Sequence, residues 1–366
     1  MKRTRIIALY LPQYHPTPDN DRWWGKGFTE WTNVGKAKPL FRGHLQPKVP
    51  ADLGYYDLRL PEAREAQAEL AREAGIEAFC YYHYWFGNGK EELELPLTET
   101  LRTGRPDFPF CLCWANESWH AKFWDKDGSI QKQLLIEQTY PGDEDIKNHF
   151  YSLLPAFKDK RYLKVNGKLF FMVYLPLEYP EVRRFMNIWN QLAKENGING
   201  FYFVGHLVHG AETNNENVKR LLNLGFEKVN VVGLFRAFAK NRTFAKRILH
   251  KVLNIPYIFE YKKLLPDMIN KDDDQPDVIP TIIPNWDHTP RSGISGNVLL
   301  NSSPDLFKKH VRKAMEVVNS RSEEESIIML KSWNEWGEGN YMEPDIIFGK
   351  GYLKALKEAL AETNLP

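Results

Sequence analysis

This 366-residue chain contains little cysteine, and neither positive nor negative charge is in clear excess. The three cysteines, Cys80, Cys111 and Cys113, are too few for a disulfide framework or a four-ligand zinc site. Each lies in an apolar run, which predicts buried, reduced thiols. The 49 basic and 47 acidic residues nearly cancel, so the chain has no overall field to hold a polyanion, and we expect no nucleic-acid partner.

Long hydrophobic runs are missing as well. No apolar stretch reaches the roughly 18 residues of a membrane span. The apolar run near the amino terminus is interrupted by Pro12 and Gln13, and it is shorter than the core of a secretory signal. We therefore expect a cytoplasmic protein, and any membrane contact should be peripheral, at the inner membrane face.

Aromatic residues, in contrast, are abundant. They make up 13% of the chain, including 11 tryptophans, and many lie in polar loop sequence. Sugar-binding clefts use such rings because the flat apolar face of a pyranose packs on them while its hydroxyl groups form hydrogen bonds at the rim. The composition indicates an oligosaccharide or polysaccharide as the partner.

Short β-rich runs alternate with helical stretches, which is typical of a parallel sheet wrapped by helices. Helices are predicted at residues 61–74 and 181–196, the first with a proline in its first turn and a glycine after its end. Eight strands close a (β/α)8 TIM barrel, so we predict one catalytic domain over residues 1–366, with long βα loops and insertions at about 15–60 and 236–277. The predicted strands are residues 6–11, 77–84, 110–114, 169–175, 200–205, 228–234, 278–284 and 326–332.

The active site of such a barrel lies at the carboxyl ends of its strands. Directly after the eighth predicted strand, the segment SWNEWGEG places Glu335 and Glu338 on a glycine-containing turn. Paired carboxylates are the usual tools of glycoside hydrolysis. The alternative is an acidic pair that opens the last helix. We predict that Glu335 and Glu338 are the catalytic residues.

Other polar and aromatic residues follow the predicted strands and are candidates for substrate binding. For Glu30, anchoring its own long loop is an equal alternative. His15 and His83 have no third ligand at a diagnostic spacing, and the acidic run at residues 272–274 is interpreted as a solvated charge run, so we expect no essential metal and no cofactor. The candidates are Tyr10, Gln13, His15, Glu30, Trp31, His83, Trp85, Trp114, Asn116, Glu117, Trp286, Arg291, Asn334 and Trp336.

Five long motifs are spread over nearly the whole chain. They are ALYLPQYHP at residues 8–16, WWGKGFTEWTNV at 23–34, FCYYHYWF at 79–86, FCLCWANESW at 110–119 and WNEWGEGNYMEPD at 333–345. Through these motifs the chain resembles the WbsX-type, glycoside hydrolase family 99-like proteins. The resemblance implies a (β/α)8 barrel related to endo-α-mannosidases. It also implies that Glu335 acts on the 2-hydroxyl of the sugar and that Glu338 is the general acid and base.

The implied activity is a retaining glycoside hydrolase that acts on an α-mannoside-like or related polysaccharide linkage. Two glutamates on one turn are poorly placed to straddle a sugar ring, so a route through a 1,2-anhydro sugar fits their spacing. The hydrolase motif normally has a larger residue in the position of Gly337. Two alternatives stay open: a glycosyltransferase of surface polysaccharide (O-antigen or capsule) biosynthesis, which the WbsX resemblance also implies, and a non-catalytic glycan-binding protein.

The segment 236–265 is basic and carries apolar residues at roughly helical spacing, among them Phe244, Ile248 and Val252. A basic amphipathic helix can lie on a membrane surface. The alternative is an ordinary outer helix of the barrel with its charged face in water. Peripheral membrane contact through residues 236–265 is therefore one of two hypotheses.

Overall fold

Eight parallel strands form a closed barrel in the computed structural model, which describes residues 3–124, 130–210 and 212–362. Each strand pairs with the next one along the chain, and the first also pairs with the last, with Arg5 opposite Ile327. This confirms the predicted (β/α)8 barrel. The strands are β1 (Arg5–Tyr10), β2 (Ala78–Trp85), β3 (Phe110–Trp114), β4 (Lys168–Val173), β5 (Phe201–Leu207), β6 (Lys228–Val231), β7 (Val278–Ile282) and β8 (Ile327–Leu330).

One helix after each strand covers the outside of the barrel. The first begins at Pro61, whose fixed φ suits a first turn, and ends before Gly75, which adopts a left-handed φ of 89°. A Cβ on Gly75 would lie 2.9 Å from Leu360 Cδ1, so this glycine also lets the last helix approach. The helices are α1 (Pro61–Ala74), α2 (Leu95–Thr103), α3 (Asp143–Phe157), α4 (Val182–Glu195), α5 (Asn215–Leu224), α6 (Tyr261–Met268), α7 (Pro304–Val318) and α8 (Gly351–Glu362).

The loops that connect these strands and helices contain further short elements, most of them at the carboxyl ends of the strands. The α-helices there are Pro18–Trp24, Glu30–Lys36, Gly233–Asn241, Phe244–Leu253 and Thr289–Ser292, and the 3-10 helices are Pro176–Glu178, Lys271–Asp274, Gly293–Ser295 and Trp336–Glu338. Antiparallel hairpins pair Trp119–Trp124 with Ile130–Ile136 and Asn334–Glu335 with Asn340–Tyr341, while Tyr257–Glu260 pairs in parallel with Asn297–Leu300. Glu91–Glu92 and Lys164–Val165 are two-residue strands at the edges of β2 and β4.

The main core lies between the barrel and its helices. Every residue of β2 is buried, as expected for a parallel sheet covered on both faces. Cys80, Cys111 and Cys113 are free and buried in this core, which confirms the prediction of reduced thiols. Within the described residues, no helix combines the length and the apolarity needed to cross a bilayer.

Several predicted strands extend about two residues too far at their carboxyl ends. The clearest case is β6, which was expected to continue to Leu234 but ends at Val231. A helix starts at Gly233 and buries Leu234, Ala237 and Phe238 at helical spacing. Periodicity cannot separate a short buried strand from the start of a buried helix, and here the chain changes from one to the other.

The acidic run at residues 272–274 is not entirely solvated, so its interpretation as a solvated charge run was wrong for the middle residue. Asp273 is buried, forms an ion pair with Arg236 at 2.6 Å and accepts a hydrogen bond from the backbone of Asn270. Through the ion pair of Asp273 with Arg236, the run contacts and stabilises the insertion after β6. In the described part of the chain, no group of three or more histidine, cysteine, aspartate or glutamate side chains is arranged to hold a metal ion.

Candidate active site

A cavity of about 670 Å³ opens at the carboxyl ends of the strands. Its wall comes from the loops after β1, β2, β3, β4, β7 and β8. Its lining combines carboxylates with aromatic rings. The lining residues are Leu11, Gln13, Asn20, Trp24, Phe28, Glu30, Asn33, Lys36, Tyr82, Tyr84, Ala115, Glu117, Ser118, Trp119, His120, Leu135, Tyr174, His288, Arg291, Ser292, Glu335 and Glu338. Of the predicted site residues, this wall brings together Gln13, Glu30, Glu117, Arg291, Glu335 and Glu338.

Glu335 and Glu338 share two cations. Oε2 of Glu335 accepts hydrogen bonds from Lys331 Nζ at 2.9 Å and from Ser332 Oγ at 2.8 Å. Oε1 of Glu338 accepts a hydrogen bond from Arg291 Nη1 at 2.6 Å, and Lys331 Nζ lies 3.7 Å from its Oε2. Arg291 Nη1 is also 3.5 Å from Glu335 Oε1. Because the same ammonium and guanidinium groups contact both carboxylates, the two carboxyl groups lie close together in the cavity wall.

The charges around Glu338 keep it ionised. Burial alone would raise the pKa of Glu338, but the charges of Lys331 and Arg291 and a hydrogen bond from His288 hold this pKa well below its usual range. Oε2 of Glu338 is buried and makes no hydrogen bond to a described residue, although Lys331 Nζ lies 3.7 Å from it. A proton can reside on this carboxyl group only when its pairing with the cations loosens.

Glu30 reaches the same cluster from the loop after β1. It begins the helix Glu30–Lys36, is only 2% exposed and accepts a hydrogen bond from Arg291 Nε at 2.8 Å. Gly337 provides the space for this pair, since a Cβ there would lie 1.6 Å from Glu30 Oε1 and 3.1 Å from Arg291 Nε. Glu30 therefore both lines the cavity and anchors its own loop.

The other predicted residues lie behind the wall, in contact with protein. Side chains alternate along a strand, so β2 directs Tyr82 and Tyr84 to the cavity and His83 to the helices, where its Nε2 is 2.9 Å from His149 Nε2. Burial lowers the pKa of His83 to about 3. The residues behind the wall are Tyr10, His15, Trp31, His83, Trp85, Trp114, Asn116, Trp286, Asn334 and Trp336.

Some of these residues join loops at the rim of the barrel. Trp85 donates to Asp145 at 3.1 Å, Trp114 donates to the carbonyl oxygen of Trp85 at 2.9 Å, and Asn116 exchanges two hydrogen bonds with the backbone of Leu175. His15 Nδ1 lies 3.0 Å from the carbonyl oxygen of Pro12. Trp286 packs edge-on against Phe235, with Lys331 Nζ 5.8 Å from its ring centroid. Their contribution is to position the lining.

A buried hydrogen-bond network supports the turn that carries the two glutamates. Tyr10 donates to Gln67 at 2.7 Å, and Gln67 donates to Glu343 Oε1 at 2.6 Å. Glu343 Oε2 accepts from Trp336 Nε1 at 2.6 Å and from Tyr56 at 3.0 Å. Asn334 bonds both backbone groups of Leu11, and Trp31 packs against the Trp336 ring.

Replacing Glu343 by glutamine should lower the free energy of unfolding by about 1–3 kcal/mol, the cost of an unsatisfied buried group. Three donors converge on the two carboxylate oxygens, and an amide would put an N–H group against one of them. Urea unfolding would measure the change, with Glu69→Gln on the exposed side of α1 as the matched control. Equal stability of the two variants would contradict this account of the network.

Asp287 fixes the position of the same turn from the loop after β7. Its Oδ2 lies 2.8 Å from His44 Nε2 and accepts from Gln46 Nε2 at 2.6 Å, and its backbone N–H donates to the carbonyl oxygen of Glu338 at 2.7 Å. Burial alone would raise the pKa of Asp287, but the hydrogen bonds from His44 and Thr289 lower it. Asp287 thus connects the loops after β1, β7 and β8, through its buried carboxylate and its backbone N–H.

Sequence reasoning missed several residues of the cavity. Tyr82, Tyr84 and Tyr174 line the cavity beside the glutamates, and Lys331, directly after β8, is a buried charge behind its wall. For Tyr82 and Tyr84, the only signal in the sequence was their alternation with His83 along β2. Trp119, the last residue of the motif at 110–119, packs edge-on against Tyr84 and Phe86 and was not among the candidates.

Comparisons with known proteins agree with this architecture. The family model described as "Glycosyltransferase WbsX" matches residues 6–356. Two proteins described as "Uncharacterized protein WxcX", from Xanthomonas campestris pv. campestris strains B100 and ATCC 33913, are each 35% identical over 358 residues. Each match covers 97% of this chain and 49% of the relative, so the chain spans about half the length of these curated relatives.

Solved structures share the fold at low sequence identity. An endo-alpha-mannosidase of glycoside hydrolase family 99 from Bacteroides thetaiotaomicron has a TM-score of 0.57 at 14% identity, and the match covers 98% of this chain and 97% of that one. A structure described as "Glycoside hydrolase-like protein" has a TM-score of 0.62 at 13% identity, covering 98% and 94%. At these identities the likeness shows the fold alone, whereas the match over residues 6–356 places this chain in the WbsX family.

Proposed function

We propose that the chain is a retaining glycoside hydrolase that cleaves an α-mannoside-like linkage in an oligosaccharide or polysaccharide through a 1,2-anhydro sugar. Glu335 removes the proton of the 2-hydroxyl, and Glu338 donates a proton to the leaving oxygen and then activates water. The observation that carries the proposal is the placement of both glutamates in the wall of one aromatic-lined cavity. The endo-α-mannosidase activity named for the family 99 structure is of the same class.

The geometry of the carboxylates favours participation of the substrate. A conventional retaining enzyme needs carboxyl groups on opposite faces of the sugar, about 5–5.5 Å apart. Here both glutamates contact Lys331 and Arg291, and they lie three residues apart in the short segment directly after β8. The second face of the sugar then needs no carboxylate, because the 2-hydroxyl oxygen of the substrate attacks the anomeric carbon itself.

The charge of the cavity favours a neutral glycan over a nucleotide sugar. Among the described lining residues, Glu30, Glu117, Glu335 and Glu338 are acidic, while Lys36 and Arg291 are basic. Lys331 adds a third cation behind the wall. Excess negative charge stabilises the oxocarbenium-like transition state of glycoside cleavage and repels a diphosphate. The matching family model is described as a glycosyltransferase, which keeps that activity as the second candidate.

The deciding experiment offers the protein α-mannosides and surface polysaccharides, with and without nucleotide sugars, and identifies the products by mass spectrometry and NMR. We expect cleavage without a donor and an initial product that keeps its anomeric configuration. Donor-dependent growth of the glycan would select the transferase, and tight binding without any turnover would select a glycan-binding protein. Efficient cleavage of a 2-deoxy or 2-fluoro substrate would rule out the anhydro-sugar route.

Arg291→Gln should move the alkaline limb of the pH profile of kcat/KM to higher pH. The variant removes one of the two cations that lower the pKa of Glu338, so this pKa rises and the protonated acid persists to higher pH. The control is Lys36→Gln, which removes a cavity-lining cation that forms no described ion pair with either glutamate. An unchanged alkaline limb in Arg291→Gln would contradict the role of Glu338 as the acid.

A further inference from the structure

The helix Phe244–Leu253 turns its apolar side away from the protein. It lies in the insertion between β6 and α6, and none of its residues is buried. Phe244 is 78% exposed and Val252 is 72% exposed. Ile248, Leu249 and Leu253 are exposed as well, so the helix presents a continuous apolar stripe at spacings of one helical turn.

The side of this helix that faces the protein is polar. Lys246 Nζ lies 3.9 Å from the ring centroid of Phe259. His250 stacks on Tyr257 with ring centroids 4.3 Å apart, and its Nδ1 is 2.7 Å from the carbonyl oxygen of Ile255. Lys246 and His250 are the half-buried positions of the helix. An ordinary outer helix packs its apolar stripe on the core, so within residues 236–265 that hypothesis is wrong for the helix Phe244–Leu253.

All charged side chains of this helix are basic. Arg247 and Lys251 flank the apolar stripe, are exposed and pair with no acidic group among the described residues. Lys262 and Lys263 follow at the start of α6, where Lys263 lies 3.6 Å from Glu260. An apolar face bordered by lysine and arginine is complementary to an anionic bilayer surface. We propose that the helix Phe244–Leu253 docks on membranes that contain anionic phospholipids.

Docking through this helix would bring the active-site cavity to the membrane surface. The insertion leaves the carboxyl end of β6, the end of the barrel at which the cavity opens. Arg242, just before the helix, donates to Asn297 Oδ1 at 3.2 Å, and the carbonyl oxygen of Asn297 accepts from the backbone of His288 in the cavity wall. The substrate class would then include glycans carried on a membrane lipid, a point that rests on the proposed function, whereas the docking itself does not.

Vesicle flotation of the whole chain tests the docking without any measurement of activity. We expect flotation with vesicles of equal parts phosphatidylcholine and phosphatidylglycerol, less with phosphatidylcholine alone, and less as salt is added. The double variant Arg247→Glu, Lys251→Glu should lower the apparent affinity by at least about 10-fold, because each basic residue near an anionic surface contributes about 5-fold. Phe244→Ser with Val252→Ser should cause a loss of about 10-fold or more through lost apolar burial.

Two matched controls change the surface elsewhere. Lys219→Glu with Arg220→Glu on α5 makes the same change in charge, and Tyr151→Ser on α3 removes a ring that is 49% exposed. Both should float like the unmodified chain. Failure of the unmodified chain to bind mixed vesicles at low salt would overturn the proposal, as would equal losses in the controls. A dimer in sedimentation that Phe244→Ser, Val252→Ser dissociates would assign the stripe to a second copy instead.

Discussion

Glu338→Gln should lower kcat/KM for an unactivated glycoside by roughly 100 to 10,000-fold, the range that general acid catalysis contributes. Glutamine keeps the size of the side chain and its hydrogen bond from Arg291 but cannot deliver a proton. Substrates whose leaving group needs no protonation, such as dinitrophenyl glycosides, should lose much less. Steady-state kinetics on both substrate types would measure the contrast, and a thermal unfolding curve would verify the fold of the variant.

Glu335→Gln provides the matched comparison, because it makes the same change three residues away on the same wall. Its defect should persist with dinitrophenyl substrates, since the base that assists the 2-hydroxyl is missing whatever the leaving group. Full activity in both variants would reject the assignment of the two glutamates. Equal recovery of both variants with activated substrates would reject their division of roles.

Gly337→Ala should reduce kcat/KM by roughly 100-fold, the size of effect caused by a displacement of about 1 Å in a positioned group. The new methyl group would lie 1.6 Å from Glu30 Oε1, so Glu30 must leave Arg291 or the turn must shift. Overpacking of this kind also costs about 1–3 kcal/mol of folding free energy. Kinetics and urea unfolding of the purified variant would measure both effects.

Gly35→Ala is the control, because nothing lies within 4 Å of a Cβ at that position of the helix Glu30–Lys36. It should leave activity and stability nearly unchanged. Adding Glu30→Ala to Gly337→Ala removes the clashing carboxylate. The loss of activity in the double variant, expressed as a free energy, should therefore be smaller than the sum of the losses in the two single variants. Strict additivity would show that Glu30 is not the obstacle.

The barrel could be predicted because each of its strands and helices has a sequence pattern within a short stretch of the chain. The eight strands are short, strongly apolar runs separated by helical sequence, and α1 has a proline at its start and a glycine after its end. Glu335 and Glu338 could be identified as candidates because active sites of (β/α)8 barrels lie at the carboxyl ends of the strands, and both residues follow the last strand. Both side chains line the cavity, as the sequence indicated.

The other contacts around the cavity join residues that are far apart in the sequence, so no local sequence pattern predicts them. Glu30 and Arg291 meet across 261 positions of the chain, and their space depends on Gly337. The direction of a side chain at a strand end also decides which residues line the cavity, since Tyr84 faces the cavity and the adjacent His83 faces the helices. For the helix Phe244–Leu253, periodicity revealed an apolar stripe but not the side on which the protein lies.

The pairing of β1 with β8 has a consequence for how the protein acquires activity. Arg5 and Ile327 are partners at opposite ends of the barrel sequence, and closing so long a loop is entropically costly and slow. Neighbouring strand–helix units can assemble earlier, because their contacts are nearer in sequence. The turn with Glu335 and Glu338 is anchored to Leu11 through Asn334, so it is completed only when the first and last strands meet. Recovery of enzymatic activity during refolding should therefore report the final closure of the barrel rather than the appearance of helices.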